Sequence, residues 1–179
     1  DAGLSSLQSG SDSPSSHMRI LGIDPGTATT GFGVIETTPD GYILLDYGLV
    51  STDKKQAHGH RLDLIYEGIS AVISKHSPEV VAIERLFFAT NALTAIAVGQ
   101  AIGVIKLAVH HAGLPIFDYA PMQVKLVVSG SGKADKILMK KTIKKMFKIR
   151  AKKGQKTHFD NSADALAIAI CHARKSVNS

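Results

Sequence analysis

The sequence predicts an α/β fold in which strands predominate early and helices later, and three observations indicate it. Two apolar runs, residues 20–23 and 31–35, flank a Pro-Gly turn, as in a β-hairpin. From Arg61 onward the apolar residues recur every three or four positions, which is typical of a helix with one buried face. Residues 80–83 are then continuously apolar, as in a fully buried strand. We therefore expect helices that flank a sheet.

The other expected elements follow in chain order from turn residues and apolar spacing. Residues 41–51 alternate loosely after an Asp-Gly turn, so the first three strands should be antiparallel. Pro78 ends the first helix, and Pro121 stands at the first position of a short one, where proline is tolerated. The remaining expected elements are helices over 91–111, 122–128, 133–156 and 161–172 and a strand over 114–119.

Residues 1–18 differ in composition from the rest of the chain. They are rich in Ser and Gly, lack Lys and Arg, and are typical of a leader added for recombinant expression, so we expect them to be disordered. Residues 19–179 have the length of one ordinary domain and contain no linker-like stretch, which predicts a single domain. That part holds all 21 Lys and Arg against fewer acids and is distinctly basic.

Cysteine content and hydropathy limit the compartment. The single cysteine, Cys171, excludes an intramolecular disulfide and a Cys-based zinc site, which fits a reducing cytoplasm. The longest uncharged segment, residues 86–105, is rich in Ala, Gly, Thr and Asn rather than in lipid-seeking residues. We therefore expect a cytoplasmic protein without a membrane segment.

The helix over 91–111 has an unusually apolar surface. It carries no charge before Lys106, and Ala95, Gly99 and Gly103 recur four residues apart. Such a helix must be covered nearly all round, by its own sheet and by another subunit. We expect it to be the central helix and, through Gly99 and Gly103, the interface of a homodimer.

Residues 133–156 form a strongly basic stretch. They contain eleven Lys or Arg and one acid, Asp135, while Met139, Ile143, Met146 and Phe147 recur at helical spacing. A wholly basic outer face is either a solvated surface or a contact for a polyanion. The scarcity of acids favours nucleic acid, since a solvated helix usually mixes charges of both signs. Its candidate contacts are Lys136, Lys140 and Lys144.

Three carboxylates occupy positions at which the surrounding apolar residues predict burial: Asp24, Glu84 and Asp164. A buried carboxylate is costly unless it is paired or binds a cation. Converging acids hold Mg²⁺, and two such ions can activate water and stabilise the leaving oxygen of a phosphodiester, which points to a nuclease. A structural role remains an alternative for each acid. Asp24 could cap the turn before Pro25. Glu84 could form an ion pair with Arg85 or Lys125, and Asp164 could pair with His158.

Together these motifs closely resemble those of the bacterial RuvC family of Holliday junction resolvases, over nearly all of residues 19–173. The matching runs are Ile23-Asp24-Pro25-Gly26 with Gly31-Phe32-Gly33-Val34, then Ala82-Ile83-Glu84, then Asn91 with Gly99-Gln100-Ala101-x-Gly103, and finally Ala163-Asp164-Ala165-Leu166-Ala167-Ile168-Ala169.

The resemblance implies an RNase H-like fold, a five-stranded mixed sheet whose first three strands are antiparallel, flanked by helices. It further implies a homodimer that resolves four-way DNA junctions by symmetric paired nicks with Mg²⁺ or Mn²⁺, two ions per active site. The branch-migration proteins RuvA and RuvB are the partners that it implies.

By the same resemblance Asp24, Glu84 and Asp164 are three of four metal-binding catalytic acids. Lys125 and Lys136 match basic residues of the family's DNA contact. Phe87 matches an aromatic residue that the family inserts or stacks at the junction centre.

The fourth ligand departs from the family pattern, because Asn161 stands where the family has Asp or His, three residues before Asp164. An amide oxygen can coordinate a cation, but it brings no negative charge and cannot act as a base. We expect that Asn161 replaces a native Asp and impairs catalysis. Asp160 can in principle substitute, although its position is more typical of a helix N-cap.

Three functions remain open at this point. The first is a junction-resolving endonuclease, inactivated by Asn161. The second is a catalytically silent junction-binding protein of the same fold. The third is another RNase H-like nuclease.

Overall fold

The computed structural model describes residues 17–85, 92–149 and 159–177, and it gives main-chain positions only for residues 92, 160 and 161. Within these ranges the chain forms five strands and five helices. They are β1 (Arg19–Asp24), β2 (Thr29–Thr38), β3 (Gly41–Ser51), α1 (His58–His76), β4 (Val80–Glu84), α2 (Ala92–His111), β5 (Ile116–Tyr119), α3 (Pro121–Ser129), α4 (Lys136–Met146) and α5 (Phe159–Ser176).

The five strands form one mixed sheet in the order β3-β2-β1-β4-β5. β2 pairs antiparallel with both β1 and β3, whereas β4 pairs parallel with both β1 and β5. β1 is central, and its apolar residues Ile20, Leu21 and Ile23 are fully buried. The predicted mixed sheet with three initial antiparallel strands is confirmed.

Helices cover both faces of the sheet. One face packs against α5, which in turn contacts α3 and α4. Residues of the other face, Leu21, Ile23 and Val34 among them, pack in one cluster with Ile65 of α1 and Ile105 of α2. The sheet therefore lies between two separate apolar clusters.

The backbone of α5 lies directly on the sheet at two paired glycines. Gly22 of β1 and Gly33 of β2 are register partners. A Cβ atom on Gly22 would overlap the carbonyl oxygen of Ala165 and lie 2.8 Å from the backbone nitrogen of Ala169, and one on Gly33 would lie 2.5 Å from a Leu166 methyl. Only glycine permits this close approach.

The expectation that the helix over 91–111 is central is wrong. α2 buries one face through residues such as Ala101 and Ile105, but Leu93 is 77% exposed and Ile96 is 61% exposed. The central helix is α5, which is fully or nearly buried from Ala165 to Ala173. The absence of charged residues shows that the surface of a helix is apolar. It does not show whether other parts of the same chain bury that surface.

By length and composition, residues 93–111 of α2 would suffice to cross a membrane, and they are the one such stretch in the part of the chain that the structure describes. A helix of a globular core passes the same test. Ala101, Ile105, Ala108 and Val109 pack in the cluster that contains sheet residues. This packing fits a helix of the globular fold, and the absence of a membrane segment stays a prediction.

Two expected boundaries shift. The basic helix α4 ends at Met146, so it covers less than half of 133–156, and residues 150–158 lie outside the described ranges. At the start, residues 1–16 are outside the description, but Met18 already joins the fold, because its carbonyl accepts a hydrogen bond from Thr37 N at 2.9 Å. The disorder expected of the leader therefore does not extend to Met18.

Replacing Gly22 with Ala should destabilise the protein by about 1–3 kcal/mol or more, because the new methyl group overlaps the α5 backbone, which can move only by opening the core. The control is Gly59→Ala in the first turn of α1, where a Cβ meets nothing within 4 Å. That change should be neutral or stabilise by up to about 1 kcal/mol. Urea denaturation measures both, and equal effects would contradict the packing described.

Candidate active site

Three acids from three elements face one cleft. Asp24 ends β1 and Glu84 ends β4, and these strands run parallel with Ile23 opposite Ile83, so both carboxylates leave the sheet at the same edge. Asp164 reaches the cleft from α5. The cleft has a volume of about 230 Å³ and is lined by Asp24, Glu84, Pro121, Val124, Lys125, Lys136, Met139, Asp164 and Ala167.

The electrostatics show that the acids act on one another. Burial, and then the charge of Asp164, raises the pKa of Asp24 to about 6. Burial, followed by the charges of Asp24 and Asp164, raises the pKa of Glu84 to about 7. Both carboxylates are therefore held in a setting that disfavours their ionised forms, and a bound cation would reverse that preference.

Two lysines oppose this effect from the cleft wall. Lys136, at the start of α4, places its Nζ 4.0 Å from Asp164 Oδ2, while its side chain remains 82% exposed. The charges of Lys136 and Lys125 lower the pKa of Glu84, although burial and the acids outweigh them. The alternative pairing of Glu84 with Lys125 is thus present as a weak long-range attraction.

The basic helix is built differently from expectation in two respects. Asp135, the acid of this stretch, is the N-cap of α4, and its Oδ1 accepts a hydrogen bond from Leu138 N at 2.7 Å. The outer face is not wholly basic, since Ile137 is 77% exposed and Leu138 is 44% exposed. The helical spacing predicted the buried side, where Met139 and Ile143 lie, but it could not assign every remaining position to a lysine.

Four other predicted contact residues do not line the cleft: Lys140, Lys144, Gly99 and Gly103. Lys140 and Lys144 follow Lys136 on α4, and Lys144 Nζ lies 5.4 Å from the ring centre of Phe159. Phe87 falls in residues 86–91, outside the described ranges. Gly99 and Gly103 lie on α2, and a Cβ on Gly103 would meet nothing within 4 Å.

The position of Asn161 can be described through its main chain. α5 begins at Phe159, so Asn161 lies in its first turn, three residues before Asp164 and on the same side of the helix. Asp160 also lies inside this turn, which corrects the expected N-cap. Their side chains, and His158, are outside the described part of the structure.

Carboxylate oxygens are the ligands that Mg²⁺ and Mn²⁺ prefer, and the chemistry of this donor set fits such ions. Among the described residues, no three His, Cys, Asp or Glu side chains form a ready-made cage for one ion. A Mg²⁺ site does not require one, because this ion keeps several waters and commonly uses one or two carboxylates together with phosphate oxygens.

Sequence reasoning missed the apolar wall of the cleft. Pro121, Val124, Met139 and Ala167 come from α3, α4 and α5 and meet only in the folded chain. Pro121 was visible as a helix start, but nothing in its local pattern assigned it to the neighbourhood of Glu84.

A mixed five-stranded sheet with acids at the ends of β1 and β4 and on the last helix defines a protein of the RNase H-like nuclease class. A family model, described as crossover junction endodeoxyribonuclease RuvC, matches residues 20–172. The chain belongs to the RuvC family.

Curated relatives and solved structures agree with this assignment. The crossover junction endodeoxyribonucleases RuvC of Chloroflexus aurantiacus and Moorella thermoacetica are 44% and 43% identical over 87% of this chain, which is 93% and 91% of the relatives. Thermus thermophilus RuvC in complex with a Holliday junction substrate is 33% identical with a TM-score of 0.80, covering 89% of this chain and 95% of that one.

A further solved structure extends the likeness in fold alone. The yeast mitochondrial Holliday junction resolvase is 18% identical with a TM-score of 0.68, covering 89% of this chain and 79% of that one.

Without metal, ionisation of the acids should destabilise the fold as the pH rises. An acid whose pKa is raised on folding stabilises the native state below its unfolded value near 4, and this contribution is lost as the pH passes the folded values of about 6 and about 7. Asp24→Asn should therefore raise the free energy of unfolding by about 1–3 kcal/mol at pH 8, with little gain at pH 4.

Urea denaturation in a metal chelator at both pH values measures this difference. The control is Asp63→Asn, since Asp63 is exposed on α1. A gain of equal size at both pH values, or in both variants, would contradict the raised pKa that burial and the charge of Asp164 give Asp24.

Proposed function

We propose that this protein is a divalent-metal-dependent endonuclease that resolves four-way DNA junctions by symmetric paired nicks. The observation that supports this most strongly is the convergence of Asp24, Glu84 and Asp164 in one cleft beside Lys125 and Lys136. Membership of the RuvC family and the likeness to a relative solved with a Holliday junction agree with it.

In this proposal the acids hold Mg²⁺ or Mn²⁺, two ions per site in the active form. Such ions activate water and stabilise the leaving oxygen of a phosphodiester. Asp24 and Glu84 stand at the ends of adjacent strands in a rigid sheet, which fixes their separation. Asp164 reaches the same cleft from α5, and position 161 lies one helical turn before it on the same side of that helix.

The lysines and the apolar wall have separate roles. Lys136, close to Asp164 and largely exposed, is placed to bind a phosphate of the strand to be cut. Lys125 lines the same cleft, while Lys140 and Lys144 extend the positive surface along α4. The apolar side chains of Val124 and Met139 keep bulk water from one side of the cleft.

We propose a homodimer through α2. Its exposed residues include Leu93, Ile96 and Leu107, and an open space lies next to Gly103. Several large apolar residues exposed on one helix support an interaction surface there, and a two-fold axis would place two cleavage sites on one junction. Cytoplasmic localisation and contact with RuvA and RuvB belong to the same proposal and rest on family membership.

A silent junction-binding protein is the second candidate, and Asn161 favours it. An amide at this position lacks the charge that a fourth carboxylate would bring to the cleft.

Asn161→Asp should accelerate cleavage by about 100-fold or more, because the fourth anion raises metal occupancy and stabilises the transition state. Affinity for junction DNA should be unchanged or slightly weaker, since a negative charge returns near phosphate. The measurement is single-turnover cleavage in Mg²⁺ of a labelled four-way junction, with duplex DNA and an RNA/DNA hybrid as controls.

Equal rates for parent and variant would show that Asn161 is a tolerated ligand or that Asp160 takes its role. Cleavage by neither protein would contradict the assignment as a resolvase. Cleavage of the hybrid in preference to the junction would favour another RNase H-like nuclease.

Junction affinity should fall steeply with salt, by roughly one unit of log-log slope for each phosphate contact. The Lys136→Ala, Lys140→Ala double variant should therefore bind more weakly with a shallower slope. The control Lys75→Ala, Lys106→Ala removes the same charge from residues paired with Asp46 and Asp118. Identical slopes in the two double variants would count against α4 as the DNA contact.

Gly99→Leu and Gly103→Leu should each weaken the dimer. A side chain at Gly103 has open space in the monomer, so its only steric cost arises across a dimer contact. Analytical ultracentrifugation and thermal denaturation separate lost association from misfolding. If Gly103→Leu sediments as an unchanged dimer, the interface lies elsewhere.

A further inference from the structure

The turn after Asp24 lies where the strand pairing ends. The last pair between β1 and β2 is Asp24 with Gly31, and the last between β1 and β4 is Ile23 with Ile83. Residues 25–28 then connect β1 to β2. Ladder hydrogen bonds alone therefore do not fix the chain immediately beyond the carboxylate of Asp24.

Side chains of Thr30 in β2, Arg61 in α1 and Thr52, the residue after β3, hold this turn, together with a backbone hydrogen bond from Thr52 N to the Ala28 carbonyl at 2.9 Å. The hydroxyl of Thr30, a fully buried residue, donates to the Gly26 carbonyl at 2.8 Å. The carbonyl of Thr27 accepts hydrogen bonds from the Thr52 hydroxyl and, at 2.8 Å, from Arg61 Nη2. Arg61 Nε also donates to Thr52 Oγ1 at 3.0 Å.

Arg61 is suited to this place because its guanidinium donates in two fixed directions. Nη2 donates to the Thr27 carbonyl, and Nε donates to the Thr52 hydroxyl, which itself donates to the same carbonyl. Arg61, Thr52 and Thr27 therefore form a cyclic hydrogen-bond network. A lysine ammonium is a compact charge on a flexible stem and cannot reproduce the fork. The charges that shift the pKa of Asp24 most are those of Asp164 and Lys136, whereas Arg61 binds the turn that follows Asp24.

We propose that Arg61, together with Thr52, is a positioning residue that fixes the direction of the Asp24 carboxylate by anchoring the carbonyl of Thr27. The inference rests on the proposed function, in which Asp24 holds a metal ion. Pro25 restricts Asp24 to extended backbone, so a shift of the turn is passed to Asp24 rather than absorbed between them. A displacement of about 1 Å at a reacting group can cost about 100-fold in rate.

The test compares two conservative variants of matched chemistry. Arg61→Lys disrupts the fork at the turn. The control is Arg19→Lys at the opposite end of β1, where Nε donates to Glu36 at 2.9 Å and Nη1 donates to the His76 carbonyl at 3.2 Å. Each variant disrupts one hydrogen bond to a side chain and one hydrogen bond to a backbone carbonyl, but only Arg61→Lys does so next to Asp24.

Arg61→Lys should weaken Mn²⁺ binding, measured by calorimetry on this chain, by about 5-fold or more. In the Asn161→Asp form it should lower kcat by about 10-fold with KM for the junction unchanged. Thr52→Val, which keeps shape and removes the hydroxyl, should act in the same direction, and combining it with Arg61→Lys should add little. Arg19→Lys should leave Mn²⁺ affinity and kcat unchanged.

Other outcomes overturn the proposal. A loss of junction affinity with Mn²⁺ binding intact would make Arg61 a direct DNA contact. Equal effects of Arg61→Lys and Arg19→Lys on Mn²⁺ affinity would reduce its role to general stability. If the parent chain and Arg61→Lys bind Mn²⁺ in the cleft equally well, the positioning role of Arg61 is refuted while the proposed function stands. If the parent chain does not bind Mn²⁺, the proposed function itself is refuted.

Discussion

The contact between the backbone of α5 and the paired glycines of β1 and β2 is the constraint on which the candidate site depends. Ala165, whose carbonyl faces Gly22, directly follows Asp164, so the depth at which α5 sits on the sheet fixes the reach of that carboxylate. The hydroxyl of Ser162 donates to the Gly48 carbonyl at 3.0 Å and fixes the same helix against β3. A side chain in place of either glycine would lift α5 and separate Asp164 from the sheet edge.

Without a bound metal, the candidate site lowers the stability of the folded protein. Three carboxylates share one cleft, and burial, together with their repulsion, raises the pKa values of Asp24 and Glu84 to about 6 and about 7, so in the metal-free state the free energy of unfolding falls as the pH rises from about 4 to about 7. The apolar clusters on the two sides of the sheet must offset this cost. Metal binding in the proposed function turns the same repulsion into attraction, so stability and activity should depend on the same ions.

Local patterns in the sequence singled out Asp24, Glu84 and Asp164 as candidate site residues because each acid interrupts or ends an apolar run. Asp24 and Glu84 end buried strands, and Asp164 lies in a helix of alanine and isoleucine, so the departure is visible within a few residues. The hairpin and the mixed sheet were predictable for the same reason. The motifs that identify the family coincide with these positions, so the same residues predicted the fold and proposed the candidate site.

What the sequence could not predict depends on contacts between distant residues. The apolar surface of α2 was visible, but whether the rest of the chain covers it was not, and the central place belongs to α5. Nothing in the local pattern around Gly22 and Gly33 indicated that their close neighbours are residues of α5. The hydrogen bond from Arg61 to Thr27 spans 34 positions and leaves no periodic signal.

The central proposal is that Asp24, Glu84 and Asp164 together form a metal site. Its most direct test is the anomalous scattering of Mn²⁺ in crystals of this chain grown with the ion. We predict an anomalous peak in the cleft, in direct contact with the Asp24 carboxylate and with at least one of Glu84 and Asp164. Mn²⁺ bound elsewhere on the protein, with no peak between these three carboxylates, would contradict it.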